Sequence, residues 1–276
     1  MYRKVELFEK PVFVHRAQAM CYAYIFALQN NMETIGIQMT YCNLETEQTK
    51  YFREEFSFEE IKKWFDDLME EYGKWATFQC EMKNQRQASI KELNFPFEYR
   101  PGQKKLVSDV YRTIMRQKLL FMQAPTGVGK TISTIFPAVK AVGEELADRI
   151  FYLTAKTITA TVAKETFALL EKNGYRAKTI QITAKEKLCP CDEMECNPVT
   201  CPYAKGHFDR VNDAVFDLLH RCEMIERDDI LSQADRYTVC PFELCLDTAS
   251  WCDNIICDYN YVFDPNVYLK RFFRRG

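Results

Sequence analysis

The sequence lacks any long apolar run. No stretch approaches the roughly 18 consecutive apolar residues that a membrane-spanning helix needs, so no membrane partner is expected. The N-terminal segment MYRKVELFEK carries charged residues where a signal peptide has its apolar core. The sequence therefore predicts a cytoplasmic protein.

Neither sign of charge is in excess. The 276 residues include 37 Lys and Arg and 39 Asp and Glu, a formal net charge of −2. Bulk charge therefore gives no support for a nucleic-acid partner, and any such site must be local. The composition is 47% hydrophobic and 28% charged, which excludes a disordered or fibrous chain. The length suits about two domains.

Cysteine, in contrast, is abundant. The chain has 12 cysteines, and nine of them lie between Cys189 and Cys257. Clustered cysteines in a reducing compartment favour a metal centre over disulfides. The four candidate metal ligands are Cys189, Cys191, Cys196 and Cys201. Their spacing contains no C-x2-C pair of the kind usual for structural zinc, and four thiolates also suit an iron–sulfur cluster. Zinc, iron–sulfur and unligated cysteines all remain open.

Other metal-binding residue types near this cluster are predicted to lie outside the site. His207 is a lone histidine in a polar segment, for which solvation is the expected state. The later cysteines have the spacing of core thiols on helices and a strand; they are Cys222, Cys240, Cys245, Cys252 and Cys257.

The beginning of the chain, residues 1–82, has the pattern of a small α+β unit. Apolar side chains at helical spacing predict a helix over residues 16–30. Alternating apolar and polar residues then predict a β-hairpin over residues 35–52. Ser57 and Glu60 form a capping box that opens a second amphipathic helix.

A polar linker over residues 83–94 is predicted to lead into a second domain, residues 95–276, in which strand and helix patterns alternate. Strands separated by single helices imply parallel βαβ units, so the predicted fold class is α/β with a parallel sheet. The predicted strands are Leu119–Met122, Arg149–Thr154, Lys178–Thr183 and Asn254–Cys257. A cysteine-rich insertion at about residues 184–240 interrupts the alternation.

Residues 124–131 read APTGVGKT and match the P-loop pattern G-x-x-x-x-G-K-S/T, with Ala124 in place of the first glycine. The glycines let backbone N–H groups approach phosphate oxygens at a helix N-terminus. Lys130 would reach the β- and γ-phosphates, and the Thr131 hydroxyl would ligate Mg²⁺. The predicted ligands are ATP and Mg²⁺, bound by Thr126, Gly127, Val128, Gly129, Lys130 and Thr131.

Gln103 is a further nucleotide-binding candidate. It ends the segment YRPGQ and precedes the helix that leads toward the P-loop. Its amide offers one donor and one acceptor, which suit the edge of an adenine base. The same residue also fits the solvated start of a helix, and the sequence leaves the two interpretations open.

Five segments, in this order, resemble the DinG/XPD family of iron–sulfur superfamily-2 DNA helicases. They are Tyr99–Gln103, Ala124–Thr131, Tyr152–Thr157, Lys187–Gly206 and Thr238–Pro265. The resemblance implies a RecA-like motor domain that translocates 5′→3′ on single-stranded or forked DNA in repair or replication. It also implies that Gln103 reads adenine and that the four cysteines hold a [4Fe–4S] cluster, which would form a rigid wedge where the strands separate. It places Thr154, Lys156 and Thr157 along the DNA path.

One departure from that family concerns catalysis. The family's Asp-Glu-Ala-His box is absent from the sequence, and Tyr259 follows the strand-like segment Ile255–Asp258 where a catalytic glutamate would stand. No catalytic residue is therefore predicted, and ATP hydrolysis by this chain alone is expected to be very slow. A second interpretation is a non-catalytic module that binds nucleotide and nucleic acid, and a third is a zinc-containing P-loop ATPase outside DNA metabolism.

The segment His15–Tyr22 resembles the late helix of RecB-type PD-(D/E)XK nucleases, which carries Gln and Tyr on one face. An ordinary amphipathic helix is the alternative. The acidic and lysine residues of such a nuclease are not found before this helix. We therefore expect an internal fragment: the end of a nuclease-like domain, followed by an incomplete first motor domain with its iron–sulfur insertion.

Overall fold

The computed structural model describes residues 9–125, 127–155 and 157–273, with the backbone alone at Thr157. The chain divides into two units by its internal contacts, the first ending at Glu81 and the second beginning at Met82. Within the described parts of the chain, none of the helices combines the length and the apolar character that crossing a membrane requires.

The first unit is a helix on a β-hairpin. It contains α1 (Phe13–Asn30), β1 (Thr34–Cys42), β2 (Thr49–Ser57) and the first part of α2 (Phe58–Glu92). The strands are antiparallel, with Thr34 opposite Ser57, which confirms the predicted hairpin and extends both strands. Inward-facing side chains of β1 meet α1 and the start of α2 in a small core of Met20, Ala23, Ile37, Met39 and Ile61.

Local capping and one ion pair define this unit further. The Ser57 hydroxyl accepts from the Glu60 N–H, and the Glu60 carboxylate accepts from the Ser57 N–H at 2.9 Å, which confirms the predicted capping box. Arg16 on α1 donates to both carboxylate oxygens of Glu54 on β2. Two parallel N–H···O bonds of this kind fix the orientation of the helix on the hairpin.

Helix α2 continues through most of the interval predicted as a linker. Residues 83–92 contain neither Gly nor Pro and remain helical through Glu92. Arg86 and Ile90 are buried in the second unit. The Lys140 ammonium donates to the Ile90 and Leu93 carbonyls at the end of the helix. Tertiary burial and this cap keep the segment helical although it has no apolar periodicity.

The second unit is a mixed α/β structure around a parallel sheet. Its helices before the sheet are α3 (Gln103–Met115) and α4 (Lys130–Gly143). The elements that follow are β3 (Ile150–Thr154), α5 (Thr157–Lys172), β4 (Thr179–Gln181), α6 (Lys185–Leu188), α7 (His207–Arg221), β5 (Met224–Ile225), α8 (Arg227–Tyr237), α9 (Pro241–Ala249), β6 (Asn254–Asp258), α10 (Asn260–Phe263) and α11 (Lys270–Phe273).

The sheet order is β3-β6-β4-β5, and every pairing in it is parallel. This confirms the predicted parallel α/β architecture and is compatible with a RecA-like domain. Apolar side chains of α4 and α5 pack with the end of α2 and with the sheet; the largest buried ones are Phe136, Phe167, Ile90, Ile135, Leu170 and Ile256. Because β6 lies between two other strands, four of its five residues are fully buried.

The strand predicted at Leu119–Met122 is wrong. Residues 118–125 are neither helix nor strand, and Leu119 and Phe121 are 88% and 94% exposed. An apolar run becomes a strand only when a neighbouring strand satisfies its backbone groups. Among the described residues, none of the six strands pairs with this segment.

Candidate nucleotide site and cysteine centre

The P-loop residues form a loop that ends at the N-terminus of α4. Gly127 and Gly129 have φ values of 85° and 79°, a left-handed conformation that glycine adopts without a steric penalty. Lys130 is the first residue of α4, so the loop runs directly into the first helical turn. The unpaired N–H groups of that turn are therefore available to an anion. Val128 lies between the two glycines, whereas Thr126 lies outside the described residues.

The Lys130 ammonium spans the loop. It donates to the carbonyl oxygens of Ala124 at 2.9 Å and Pro125 at 3.1 Å. A phosphate oxygen is a stronger acceptor for an ammonium than a neutral carbonyl, so an incoming nucleotide can compete for Lys130. Thr131 is half-buried in the first turn of α4 beside it.

Gln103 is hydrogen-bonded to the backbone of the P-loop. It is only 3% exposed, and its amide nitrogen donates to the Val128 carbonyl at 3.0 Å while its amide oxygen accepts from the Arg100 N–H. Arg100 also donates to the Gly127 carbonyl. A Cβ atom at Gly129 would lie 2.8 Å from the Gln103 amide nitrogen, so this close approach requires glycine. Adenine recognition by Gln103 stays a prediction.

An aromatic pair next to this contact was not singled out from the sequence. Tyr99 stacks on Phe95 with ring centroids 4.4 Å apart, and Phe95 meets Phe136 of α4 edge to face. Tyr99 immediately precedes Arg100 and remains exposed. Its proximity in sequence to Gln103 is the only signal that could have indicated it. An exposed ring beside a phosphate loop is a surface on which a base can stack.

A cavity of about 800 Å³ lies at the carboxyl ends of the parallel strands. Thr154, Gln181 and Asp258, the last residues of β3, β4 and β6, line it. Four cationic side chains also line it, namely Lys164, Lys185, Lys187 and Arg227. Ligands of open α/β sheets bind at this edge.

Thr154 is one of the three residues predicted along the DNA path, and it lies in the wall of this cavity. Thr157 begins α5. Lys156 lies outside the described residues.

The four predicted cysteine ligands lie in an irregular segment between α6 and α7. The pKa of Cys191 is raised to about 11, mainly by loss of solvation and further by the Cys201 and Cys189 thiols. The thiols of Cys189, Cys191 and Cys201 are therefore neighbours. The hydrogen bond with Cys196 is the largest cause that raises the pKa of the Lys185 ammonium, and the Cys240 and Cys189 thiols raise that pKa further. Within the described residues, no three His, Cys, Asp or Glu side chains are arranged as around a metal ion. The four thiols match an iron–sulfur centre in chemical type but are not grouped around one point.

A fifth thiol, that of Cys240, lies against this segment. Burial raises the pKa of Cys240, and the neighbouring Cys196 thiol raises it further, while the N–H groups of Glu243 and Phe242 at the start of α9 lower it. The Cys240 thiol also raises the pKa of Lys185. The sequence-based assignment of Cys240 to the core missed this position. Its only local signal is the proline that follows it, a residue typical of the first turn of a helix.

The other late cysteines and His207 have different outcomes. Cys245, Cys252 and Cys257 are buried, which confirms that they are core thiols. The expectation that His207 is solvated is wrong, because His207 is only 4% exposed. As the first residue of α7 it faces the start of α9, and its Nδ1 accepts from the Cys240 N–H at 3.2 Å.

Residues 162–271 match the family model DEAD_2. Over these residues, which are less than half of the chain, the sequence is similar to the helicase-like proteins of that family. The DEAD_2 segment includes the cysteine loop, most of the cavity wall and β6, while the P-loop precedes it. The chain matches none of the curated proteins with which it was compared. A DEAD_2 helicase-like domain implies nucleotide and nucleic acid as partners and ATP hydrolysis as the general reaction of the family.

Proposed function

We propose that this chain carries the nucleotide-binding part of an ATP-dependent DNA helicase of the DinG/XPD type, which moves 5′→3′ on single-stranded DNA during repair or replication. The observation that carries the proposal is the P-loop itself: two left-handed glycines lead into α4, and Lys130 spans the loop next to Thr131. The DEAD_2 match downstream of this loop supports a helicase motor over other P-loop proteins.

In this proposal the residues of the loop bind ATP and Mg²⁺. Backbone N–H groups at the start of α4 and the Lys130 ammonium hold the β- and γ-phosphates, and the Thr131 hydroxyl holds Mg²⁺. Gln103 fixes the loop through Val128 and is proposed to contact adenine with the remaining donor and acceptor positions of its amide. Tyr99 provides a ring on which the base can stack.

The Lys130→Ala variant tests the nucleotide site. Loss of a charge-assisted hydrogen bond to phosphate, about 1.5–3 kcal/mol, should weaken binding of a fluorescent ATP analogue roughly 10- to 100-fold. Lys105→Ala is the matched control, because Lys105 is an exposed lysine of α3 that pairs with Asp109 four residues away. Unchanged ATP affinity in Lys130→Ala would show that the P-loop is not the nucleotide site.

We further propose that single-stranded DNA follows the carboxyl ends of the strands. Thr154 lies in the cavity wall at this edge, and Lys156 and Thr157 follow it in sequence. The cavity wall carries four cationic side chains against the carboxylates of Glu186, Glu226 and Asp258, a local excess of one positive charge, and Lys164 pairs with Glu226 at 3.1 Å. Backbone phosphates are the groups that such side chains bind.

A [4Fe–4S] cluster is the third part of the proposal, with Cys189, Cys191, Cys196 and Cys201 as the predicted ligands and a wedge at the point of strand separation as its role. A cluster takes four thiolates, and when bound it would give this segment a rigid core. Five thiols are available here. Because the Cys196 thiol influences Cys240, we also propose a second ligand set, in which Cys240 replaces Cys191.

Single alanine substitutions distinguish the two ligand sets. Iron and acid-labile sulfide are measured after anaerobic purification of Cys191→Ala and Cys240→Ala, with Cys222→Ala as the control outside the centre. The variant that removes a true ligand should lose most of its iron, and the other should retain it. Zinc without sulfide in the unsubstituted protein would contradict an iron–sulfur centre.

The non-catalytic binding module is a second candidate, and one observation favours it. Asp258 at the end of β6 accepts from the Asn260 N–H and is followed by Tyr259, not by a glutamate. The sequence contains no Asp-Glu-Ala-His box to hold Mg²⁺ and orient water.

For the first unit we propose the end of a RecB-type nuclease-like domain. Gln18 and Tyr22 are four residues apart on α1 and both are exposed, so they share one accessible face of the helix.

A further inference from the structure

The thiols of the cysteine centre come from two segments that are distant in sequence. The first is the loop between α6 and α7, and the second is the turn before α9 that carries Cys240. Helices α7 and α8 separate them along the chain. Some contact must therefore hold the two segments together before any metal can bind both.

Arg210, in the first turn of α7, makes such a contact. Its Nη2 donates to the Lys205 carbonyl at 2.8 Å, at the end of the cysteine loop, and to the Thr238 carbonyl at 2.6 Å, two residues before Cys240. Its Nε donates to the Tyr237 carbonyl at 2.9 Å. One guanidinium thus bonds to the backbone of both segments, using its rigid fork of donors.

The backbone around Arg210 is shaped to admit the guanidinium. Gly206 has φ 67°, and a Cβ atom there would lie 2.6 Å from Arg210 Nη1. Thr238 also adopts a left-handed conformation, with φ 52°, which costs a non-glycine residue about 1 kcal/mol or more. Both left-handed residues stand at helix ends, Gly206 before α7 and Thr238 after α8, next to groups that Arg210 contacts.

His207 holds the second segment from the same turn of α7. Its Nδ1 accepts the Cys240 N–H, so the backbone of Cys240 is tied to the helix directly. In the neutral ring the proton is then on Nε2, which is buried without a hydrogen-bond partner and lies 3.9 Å from the nearest carboxylate oxygen, on Asp247. His207 therefore acts through its acceptor nitrogen on Cys240.

We propose that Arg210 and His207 are positioning residues that assemble the thiol centre from these two segments, although neither is a ligand. The expected effect on metal occupancy rests on the proposed iron–sulfur centre. The contacts of Arg210 and His207 with the two segments do not. Removing either residue releases the Cys240 turn from the cysteine loop while leaving every thiol in the protein.

The experiment uses the full chain and two measurements. The first is the rate at which iodoacetamide alkylates Cys240 in metal-free, reduced protein, followed by peptide mass spectrometry. Arg210→Gln should raise this rate about tenfold, as expected for the loss of at least one hydrogen bond to a charged group. Arg210→Lys should fall between, because it keeps the charge and one donor. Arg236→Gln is the control, since Arg236 is an exposed arginine of α8 that pairs with Asp217 and lies over the Tyr237 ring. It removes a neighbouring charge but leaves the three carbonyl contacts of Arg210.

Substitutions at His207 test the same geometry independently and remain informative if Arg210→Gln fails to fold. His207→Asn keeps an acceptor near the Nδ1 position and should alkylate at the unsubstituted rate, whereas His207→Phe removes the acceptor and should raise the rate about tenfold. Equal alkylation rates in His207→Asn and His207→Phe would overturn the role of His207. The role of Arg210 would be overturned if Arg210→Gln folds and if it, Arg210→Lys and the unsubstituted protein all react at the same rate.

The second measurement is iron and sulfide content after anaerobic purification. We expect Arg210→Gln and His207→Phe to lose iron, and Arg236→Gln to keep it. If the unsubstituted protein holds no iron while Arg210→Gln still speeds alkylation, the iron–sulfur proposal fails and the positioning inference stands. If the protein holds iron and Arg210→Gln changes neither measurement, the positioning inference is overturned.

Discussion

At the residue scale, Arg86 and Asp253 form the most deeply buried ion pair described in the second unit when both side chains are considered. Their side chains are 11% and 17% exposed. Asp253 Oδ1 accepts from Arg86, and Oδ2 accepts from the Lys178 N–H at 2.9 Å. Burial raises the pKa of Asp253, and Arg86 opposes that rise. Arg86, together with the Lys178 N–H, therefore offsets part of the cost of burying this aspartate as an anion.

Arg86→Met should destabilise the protein by about 3–5 kcal/mol near neutral pH, because it leaves a buried carboxylate unpaired. Without Arg86 the pKa of Asp253 rises further. An aspartate with a raised pKa favours the folded state below that pKa and loses this contribution as pH rises through it. The loss should therefore be smaller near pH 5 than near pH 7, measured by urea unfolding. Combining Asp253→Asn with Arg86→Met should recover part of the lost unfolding free energy. An identical loss at both pH values would contradict the role of the unpaired Asp253 carboxylate.

At the scale of elements, the end of α2 depends on a residue from another helix. The Lys140 ammonium on α4 reaches the Ile90 and Leu93 carbonyls at 2.7 and 3.1 Å. The last carbonyls of a helix have no partner within it and carry its negative dipole end. Lys140, fifty residues away in sequence from Ile90, supplies a further donor and the favourable charge.

Lys140→Met keeps the aliphatic stem but removes these donors. The free energy of unfolding in urea should fall by about 1.5–3 kcal/mol, and Lys140→Arg should retain much of it. Lys105→Met serves as the control, because its exposed ion pair with Asp109 contributes less than about 1 kcal/mol. Equal effects of Lys140→Met and Lys105→Met would mean that the cap does not stabilise α2.

In the chain as a whole, nucleic-acid binding and ATP hydrolysis depend on different groups. The chain has a net charge of −2, so any grip on nucleic acid depends on the cavity side chains and the neighbouring loop. The same sequence has a P-loop but no Asp-Glu-Ala-His box. Binding and turnover are therefore expected to be separable in this protein.

The purified chain should bind single-stranded DNA yet show little DNA-stimulated ATP hydrolysis. Two or more phosphate contacts would lower affinity about tenfold or more between 50 and 200 mM salt, which fluorescence anisotropy can measure. Substantial DNA-stimulated turnover would contradict the role of the missing box. Salt-independent binding would contradict a phosphate-directed site.

Features that depend on near neighbours in the chain could be predicted from residue patterns. The capping box at Ser57 and Glu60, the hairpin, the P-loop entering α4 and the parallel strands each follow from spacing within a few residues or from βαβ alternation. These patterns act mainly through local hydrogen bonds and side-chain periodicity, which residue spacing records directly.

The remaining features depend on tertiary packing. Residues 83–92 are helical because distant side chains bury and cap them, and residues 119–122 form no strand because no described strand pairs with them. His207 is buried, and Cys240 joins the cysteine loop, because α7 binds two segments that the sequence separates. Such contacts are set by which elements pack together, and residue spacing alone carries no record of that.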